Sequence, residues 1–540
     1  MSMTPGGPEY LDGSSPATAA ADDTANDHRK RLIALGAIVA GGAVVAGGAW
    51  AATSFFAQGE QPAEALPDST VAYFSVDLDP SGGQKIEAIK TLRKFPAFTD
   101  EIDLKADDDL RERFFEEVTS SGECEGLDYA KDVEPWLGSR AAIAAVDLGE
   151  DAPAAVGVVQ VSDAGKAEDG VAKLVDTCGS GEEGDVGGWV VEGDWMVVAE
   201  TKEIAQQVVD ARDSGTLADD EAYGKWTGEA GDDGFMSVYV AKAAAQYADQ
   251  LGGMGALAGA YAGSADDMTS SDEVPPELQQ MIDEFDGGAA TVRFDDGAVE
   301  VEYAVSNYSP DMTKYIDGDE GVSMVGDLPD DTVAAMGFAL QDGWAQALVD
   351  YVKTTLPEDE SSIDDGIAQM ESETGLDFPE DIETLLGEGV TISLGSGIDP
   401  DAIANGGPGE VPLGLTIKGD ADEIQAVLDK VRDQVPPEMA EFMTVTEGDG
   451  YAVLALQDDY RSALESGGDL GSSDDYEKVV EGGDAQTVLF VDFDADDNWL
   501  VRMTEDSPEV SENLEPLSSF GVSGWVDGDV VHAQLKLTTD

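Results

Sequence analysis

The C-terminal half of the chain alternates between short apolar runs and amphipathic stretches. Thr332–Leu340, Val390–Leu394 and Leu413–Ile417 are apolar runs of strand length. Between the first two runs, Trp344–Thr354 has its apolar residues at helical spacing. These patterns predict strands that alternate with helices.

A longer amphipathic stretch, Ala421–Gln434, follows Asp420 and precedes two prolines, Pro436 and Pro437. Aspartate is a common N-cap because its carboxylate accepts N–H groups of the first helical turn. Proline cannot continue a helix because it lacks the N–H group and clashes with the preceding turn. The sequence therefore predicts a helix that begins after Asp420 and ends before Pro436.

Strand pairs joined by Gly-containing turns are predicted toward the C-terminus. Phe442–Thr446 and Tyr451–Leu456 flank one such turn, and a last hairpin turns at Asp527-Gly528. A short helix around Tyr460–Glu465 and a strand at Thr487–Phe493 lie between them. Hairpins among helices favour an α+β fold with mainly antiparallel sheets.

The chain also contains an internal repeat, because several of its segments recur in the same order. The matched segments include Leu66–Ala72 with Leu328–Ala334, Gly126–Tyr129 with Gly375–Phe378, Glu192–Asp194 with Glu447–Asp449, and Leu217–Tyr223 with Leu470–Tyr476. Collinear matches of this kind indicate a duplicated unit. We predict one repeat over residues 66–325 and a second over residues 326–540. We expect residues 251–276, which are rich in Gly, Ala, Ser and Asp, to be an insertion or a mobile loop in the first repeat.

An uncharged stretch of 26 residues, Leu32–Ala57, lies near the N-terminus. As a helix it would be about 39 Å long, whereas the hydrocarbon core of a bilayer is about 30 Å thick. Three basic residues, Arg29 to Arg31, precede it, and the next basic residue after it is Lys85. The positive-inside rule then predicts a disordered cytoplasmic tail over residues 1–31, a single transmembrane helix over 32–57, a linker over 58–65 and an extracellular remainder. A cleaved signal peptide and a soluble Ala/Gly-rich helix are the alternatives.

The charge of the chain excludes one class of partner. The 540 residues contain 114 acidic and 28 basic side chains, a formal net charge of -86, and only five of the acids precede residue 32. A nucleic-acid binder needs a basic surface, so we expect no nucleic-acid partner. With 42% hydrophobic residues the chain is not a disordered acidic polymer either. The acidity indicates a solvated surface that attracts cations diffusely, with specific calcium or magnesium sites and a surface for a basic partner as alternatives.

Cysteine and histidine are rare. Cys124, Cys178, His28 and His532 are too few for a zinc site of thiolate and imidazole ligands. Outside the cell thiols oxidise, so we predict a disulfide between Cys124 and Cys178, with two buried free thiols as the alternative. His532 stands in an apolar alternation near the C-terminus and is expected to be an outward-facing strand residue.

Two acidic patterns resemble calcium loops without completing one. Asp492, Asp494 and Asp496 have ligand spacing and are weak metal candidates, but the sixth position lacks the loop glycine and the twelfth, Met503, lacks a carboxylate. The segment that begins at Asp77 has the loop glycine, Gly82, but its twelfth position is Ala88, which lacks a carboxylate, so the segment is expected to be a strand-to-helix turn. No hydrolase, phosphate-binding or dinucleotide motif is present, so the sequence predicts no cofactor and no catalytic residue.

The segment Leu66–Glu87, continuing to Phe95-Pro96, resembles the actinobacterial family called domain of unknown function 3352. The order of basic flank, apolar span and this block is also similar to that family. The resemblance implies a membrane-anchored, exported protein of a Gram-positive actinobacterium. It implies no activity, ligand or catalytic residue.

Together these observations predict a single-pass membrane protein that contacts the lipid bilayer through residues 32–57 and carries two similar α+β repeats outside the cell. We expect a non-enzymatic envelope or binding protein whose unidentified ligand lies in a groove between the repeats. The alternatives are a calcium-dependent adhesion or sensing module, a carboxylate-based cell-wall hydrolase, and a carrier of lipid or another hydrophobic ligand.

Overall fold

The structure is a computed structural model. It describes residues 61–77, 83–101, 109–119, 126–178, 187–232, 234–247, 284–295, 297–306, 314–315, 318, 320–355, 360–399, 403, 407–440, 442–448, 450–481, 485–504 and 507–540. The predicted transmembrane helix, the insertion at 251–276 and Cys124 lie outside these ranges. Within the described ranges, the helices are all too short or too polar to cross a membrane.

Sixteen strands within the described ranges form one antiparallel sheet. In chain order they are β1 Thr70–Asp77, β2 Leu137–Val146, β3 Ala154–Val161, β4 Gly188–Glu192, β5 Trp195–Ala199, β6 Met236–Ala241, β7 Gly287–Asp295, β8 Ala298–Ser306, β9 Ala334–Ala339, β10 Gly389–Leu394, β11 Leu413–Ile417, β12 Thr446–Glu447, β13 Ala452–Ala455, β14 Thr487–Asp492, β15 Leu517–Asp527 and β16 Val530–Thr539. Every paired neighbour is antiparallel. The predicted α+β fold with antiparallel pairing is confirmed.

The described helices connect these strands. They are α1 Gly83–Leu92, α2 Pro96–Glu101, α3 Leu110–Thr119, α4 Tyr129–Asp132, α5 Ala164–Cys178, α6 Lys202–Arg212, α7 Glu221–Glu229, α8 Glu320–Gly326, α9 Trp344–Thr355, α10 Glu360–Thr374, α11 Glu380–Leu386, α12 Ala421–Val431, α13 Pro437–Ala440, α14 Asp458–Ser466, α15 Asp474–Val479, α16 Ala495–Met503 and α17 Pro508–Leu514. Short 3-10 turns add Pro62–Ala65, Lys242–Tyr247, Leu217–Asp219, Pro408–Glu410, Arg432–Gln434 and Leu470–Ser472.

The strand order is the same in both halves of the chain. From one edge inward the first half runs β4-β5-β3-β2-β1-β6-β7-β8, and from the other edge inward the second half runs β12-β13-β11-β10-β9-β14-β15-β16. Strand n of the first half thus occupies the position of strand n + 8 in the second. The innermost strands, β8 and β16, pair with each other and join the halves into one sheet. We call this β8–β16 pair the seam.

Helices cover both faces of the outer parts of the sheet. On one face, α6 and α7 bury a first core that includes Trp226, and α14 and α15 bury a second that includes Phe490. On the opposite face, α5 packs over β4 and α12 over β13. The 3-10 turn Pro62–Ala65, inside the predicted linker, contributes the fully buried Ala63 to the first core.

Candidate ligand site at the seam

The seam aligns charged and polar side chains in the middle of the sheet. Nine residue pairs run from Val530 opposite Ser306 to Thr538 opposite Ala298. Directly opposed residues in an antiparallel pair share a face of the sheet. On the face covered by α7 and α15, Glu300 therefore lies beside Lys536.

A buried charge network crosses this face. Arg293 on β7 places Nη2 2.6 Å from Oε1 of Glu300 and 2.5 Å from Oε2 of Glu302. Gln534 donates from Nε2 to Oε1 of Glu300, and Nζ of Lys536 lies 3.9 Å from the same oxygen. Glu300 is only 3% exposed. Burial raises the pKa of its carboxyl, although the charges of Arg293 and Lys536 act in the opposite direction.

A glycine makes room for this network. Gly231 has a φ of +81°, and a Cβ there would lie 2.1 Å from Oε2 of Glu302. The next residue, Asp232, accepts a hydrogen bond through its carbonyl oxygen from Nη1 of Arg293 at 3.4 Å. Any larger residue at position 231 would be strained and would displace the carboxylate.

A cavity of about 430 Å³ opens beside the network. Its lining comes from β8, β16 and α15: Ala298, Glu300, Asp474, Glu477, Lys478, Lys536 and Thr538. It therefore lies at the junction of the two halves. The halves meet edge to edge through strand pairing, and α15 forms the outer wall of the cavity.

A larger concave region of about 600 Å³ lies in the second half, near the ends of β9 and β10. Its side chains are mostly acidic, and two of them have structural roles. Asp420 caps α12 by accepting the N–H groups of Asp422 and Glu423, and Glu383 accepts the N–H of Ala345. The seam cavity is the better candidate for a ligand site because a buried charged network forms its wall.

Two of the three predicted metal candidates, Asp492 and Asp496, have polar partners within the protein. Oδ1 of Asp492 accepts the N–H groups of Asp494 and Ala495 at 3.0 and 2.9 Å. Oδ2 of Asp496 lies 2.8 Å from Nη2 of Arg502. Among the described residues, no group of three or more His, Cys, Asp or Glu side chains is arranged to hold a metal ion.

Two of these acids have pKa values above the usual range of an aspartate. Burial is the main cause that raises the pKa of Asp492, and the charge of Asp475 adds to it. Burial also raises the pKa of Asp494, with further contributions from Asp540 and Asp475. Burial and the neighbouring carboxylates both disfavour the charged form of these two acids.

His532 lies in a strand, as predicted, but the prediction that it faces outward is wrong. The residue is 5% exposed, and its ring stacks on Trp525 with centroids 5.0 Å apart and planes 2° apart. Nε2 lies 3.7 Å from Oε2 of Glu229 on α7. The alternation of β16 correctly assigns His532 to the polar face, but α7 covers that face.

The predicted disulfide stays a prediction. Cys178 is the last residue of α5, and Cys124 lies outside the described ranges.

Sequence reasoning missed the residues of the charge network. Glu300 and Glu302 alternate with apolar residues along β8, a pattern typical of a strand with one solvated face. Arg293 and Lys536 show the same alternation in their own strands. The sequence did contain one indication of the network. Basic residues are scarce in this chain, and Arg293 and Lys536 lie in strands rather than in loops.

The chain matches a known protein family. A family described as a protein of unknown function (DUF3352) matches residues 33–396. This range includes most of the predicted membrane span and continues through β10 in the second half. No curated protein and no solved structure matches the chain.

Proposed function

The chain belongs to the DUF3352 family of proteins of unknown function, and from that premise we propose that it is a non-enzymatic, membrane-anchored binding protein of the cell exterior with its ligand site in the seam cavity. The buried network of Arg293, Glu300, Glu302 and Gln534 beside the cavity is the observation that carries the proposal. Burying such charges is costly unless they are paired, so a polar wall of this kind favours recognition of a polar ligand.

Two repeats form the exported part in this proposal, over residues 66–325 and 326–540. The identical strand orders of the two halves support a duplication. Related details recur as well: Gly126 and Gly375 both have positive φ, and Leu217–Asp219 and Leu470–Ser472 are both 3-10 turns that precede a helix. The cavity then lies where one repeat meets the other.

The membrane anchor in this proposal is Leu32–Ala57, with residues 1–31 in the cytoplasm. The family match supports it, since the matched region begins at residue 33 and so includes most of this apolar segment. The 3-10 turn Pro62–Ala65 follows the segment closely in the sequence, so the folded part would lie near the bilayer surface.

Protease treatment of intact cells tests the anchoring. We expect external protease to degrade the part beyond residue 60, because the positive flank retains the N-terminus inside. A variant without residues 2–57 should be protected, since it would stay in the cytoplasm. Full protection of the unaltered protein would refute the orientation.

Thermal denaturation of the full chain in detergent tests the binding site. A ligand that binds only the folded protein stabilises it by about 2.7 kcal/mol at a hundredfold excess over its Kd. We would test an amine, a carboxylate, an amino acid and a neutral sugar, and we expect at least one to raise the Tm by about 2 °C or more. Lys478→Trp, which places an indole at the cavity, should abolish the rise.

Lys166→Trp is the matched control, because Lys166 and Lys478 each pair with an aspartate three residues earlier on a helix surface. It should keep the full rise in Tm. The absence of any rise, or an equal rise in both variants, would contradict the proposed site.

A carboxylate-based hydrolase is a second candidate, favoured by the raised pKa of Glu300 beside two cavity carboxylates, Asp474 and Glu477. The hydrogen bonds from Arg293 and Gln534 to Glu300 favour binding over proton transfer. Turnover of glycoside substrates by the full chain, lost in Glu300→Gln, would establish the hydrolase instead.

A further inference from the structure

The charge network buries more carboxylates than cations. Glu300 and Glu302 are 3% and 9% exposed. Oε1 of Glu300 lies 2.6 Å from Nη2 of Arg293, and Oε2 of Glu302 lies 2.5 Å from the same nitrogen atom. Two carboxylates that share one cation at this range repel each other, so the protonated form of one of them is favoured.

The second cation of the network is divided between two carboxylates. Nζ of Lys536 lies 3.2 Å from Oε2 of Glu481 but 3.9 Å from Oε1 of Glu300. The longer distance exceeds that of a hydrogen bond, which is about 2.7–3.2 Å. Lys536 therefore neutralises Glu481 first, and Arg293 remains the main partner of both buried carboxylates.

The helix that covers this part of the seam adds negative charge. Asp474 and Glu477 on α15 line the cavity together with Glu300. The ammonium group of Lys478 on the same helix lies 3.0 Å from Oδ1 of Asp475 and so is neutralised locally. The helix side of Glu300 thus carries more carboxylates than ammonium groups.

Charged groups of α7, which covers the same face, have partners of their own. Oε2 of Glu229 lies 3.7 Å from Nε2 of His532. Nζ of Lys225 lies 4.0 Å from the centre of the Trp226 ring and 4.0 Å from Oδ2 of Asp286. Within the described part of the chain, α7 therefore supplies no further cation to the network.

The network also lacks a hydrogen-bond donor. Gln534, directly opposite Glu302 in the seam, is 7% exposed. Its Nε2 donates to Glu300, but its Oε1 accepts no hydrogen bond among the described residues. An ionised carboxylate offers only acceptors, whereas a protonated one also carries an O–H donor. A proton on the two glutamates would thus remove one charge and add one donor.

The pKa of Glu300 is shifted in the direction that this charge count requires. Burial raises the pKa of its carboxyl, and the charge of Glu302 adds to the rise, although Arg293 and Lys536 oppose it. A carboxyl whose pKa is higher in the folded than in the unfolded state stabilises the fold at low pH, and this contribution is lost as the pH rises through the folded-state value. The window lies above the usual glutamate pKa of about 4.3.

We propose that Glu300 and Glu302 hold one proton between them at mildly acidic pH and that this proton tightens the seam, which makes the junction of the two halves a pH-sensitive contact. The inference goes beyond the proposed function and does not depend on any ligand. Acidification strengthens the contact between the halves, and alkaline pH weakens it.

Chemical denaturation of the full chain in detergent, at about pH 8 and about pH 5, tests the inference with Glu300→Gln. The glutamine copies the neutral form and leaves Arg293 with a single carboxylate, Glu302. At about pH 8 we expect the ratio of folded to unfolded protein to be about tenfold higher in the variant than in the unaltered protein, and at about pH 5 the two ratios should agree within about twofold. Misfolding of the variant cannot produce the gain. A loss of stability at the higher pH, or the same difference at both, would overturn the inference.

Glu168→Gln is the matched control, because Glu168 is an exposed glutamate on α5, which packs on the opposite face of the sheet. It removes the same charge and should change the ratio by less than about twofold at either pH. His532 is present in every variant, so its own titration cancels in the comparison. A gain in Glu168→Gln equal to that in Glu300→Gln would assign the effect to net charge and overturn the inference.

Potentiometric titration counts the proton. Between about pH 8 and about pH 5 the unaltered protein should take up about one proton more than Glu300→Gln. It should differ much less from Glu168→Gln, since an exposed glutamate is mostly ionised over this range. Equal uptake by the unaltered protein and Glu300→Gln would show that Glu300 stays ionised, which contradicts the inference.

Hydrogen exchange locates the effect in the fold. After correction for the intrinsic exchange rate, the protection of amides in β8 and β16 should rise on acidification in the unaltered protein and change less in Glu300→Gln. A rise confined to other strands would place the pH effect away from the seam and reject the proposed contact.

Discussion

At the scale of single residues, one guanidinium group stabilises the centre of the sheet. Arg293 contacts both Glu300 and Glu302, and all three side chains are largely buried. A buried carboxylate without a cation is strongly destabilising, because the protein interior solvates charge poorly. The seam therefore depends on Arg293 more than on any exposed ion pair.

Arg293→Met is expected to lower the free energy of unfolding by about 3–5 kcal/mol, since two buried carboxylates lose their main partner. Chemical denaturation of the full chain measures this. Arg212→Met is the comparison, because Arg212 pairs with the half-exposed Glu192 and its loss should cost about 1 kcal/mol or less. Equal losses in the two variants would contradict the assigned importance of the network.

At the scale of elements, the two halves contain equivalent ion pairs between helices. In the first half the ion pair joins α5 to α4, and in the second half it joins α12 to α11. Lys173 on α5 lies 2.6 Å from Asp132 on α4, and Lys430 on α12 lies 2.5 Å from Asp381 on α11. The hydrogen bond from Lys173 lowers the pKa of Asp132, and the one to Asp381 raises the pKa of Lys430. Both ion pairs hold equivalent elements in place.

The predicted disulfide would fix the end of α5 to the segment before α4. We expect the denatured, unreduced protein to contain no free thiol, as measured by thiol titration. Cys124→Ser should lower the free energy of unfolding by about 4 kcal/mol without reductant, because the loop of 54 residues is no longer closed. With reductant present, both proteins should be equally stable. Two thiols in the unaltered, unreduced protein would refute the bridge.

At the scale of the whole molecule, the seam makes one sheet from two halves. Separating them would leave β8 and β16 as long edge strands with unpaired N–H and C=O groups. It would also separate Glu300 from Gln534 and Lys536, which belong to the other half. Each half alone would therefore be less stable than the intact sheet.

Calorimetry of the full chain should accordingly show a single unfolding transition in which both halves unfold together. Arg293→Met should move that transition to lower temperature without dividing it. Two separate transitions in the unaltered protein would show that the halves are independent domains and that the seam contributes little.

The sequence alone determined the local elements, because hydrophobic period and turn chemistry act within a few residues of the chain. It predicted β11 at Leu413–Ile417 with the bounds that the structure has, the cap of α12 at Asp420, and the last hairpin. The segment Ala421–Gln434, which the sequence predicts to be one helix, is an α-helix up to Val431 and a 3-10 turn after it.

Only the tertiary structure decided which strands pair at the seam and which polar side chains are buried there. Alternation along a strand distinguishes its two faces, but it does not show whether a helix from elsewhere in the chain covers the polar one. For this reason Glu300 and His532 resemble solvated residues in the sequence and are buried in the fold. The cavity depends on the same long-range pairing, because its lining joins β8, β16 and α15 from distant parts of the chain.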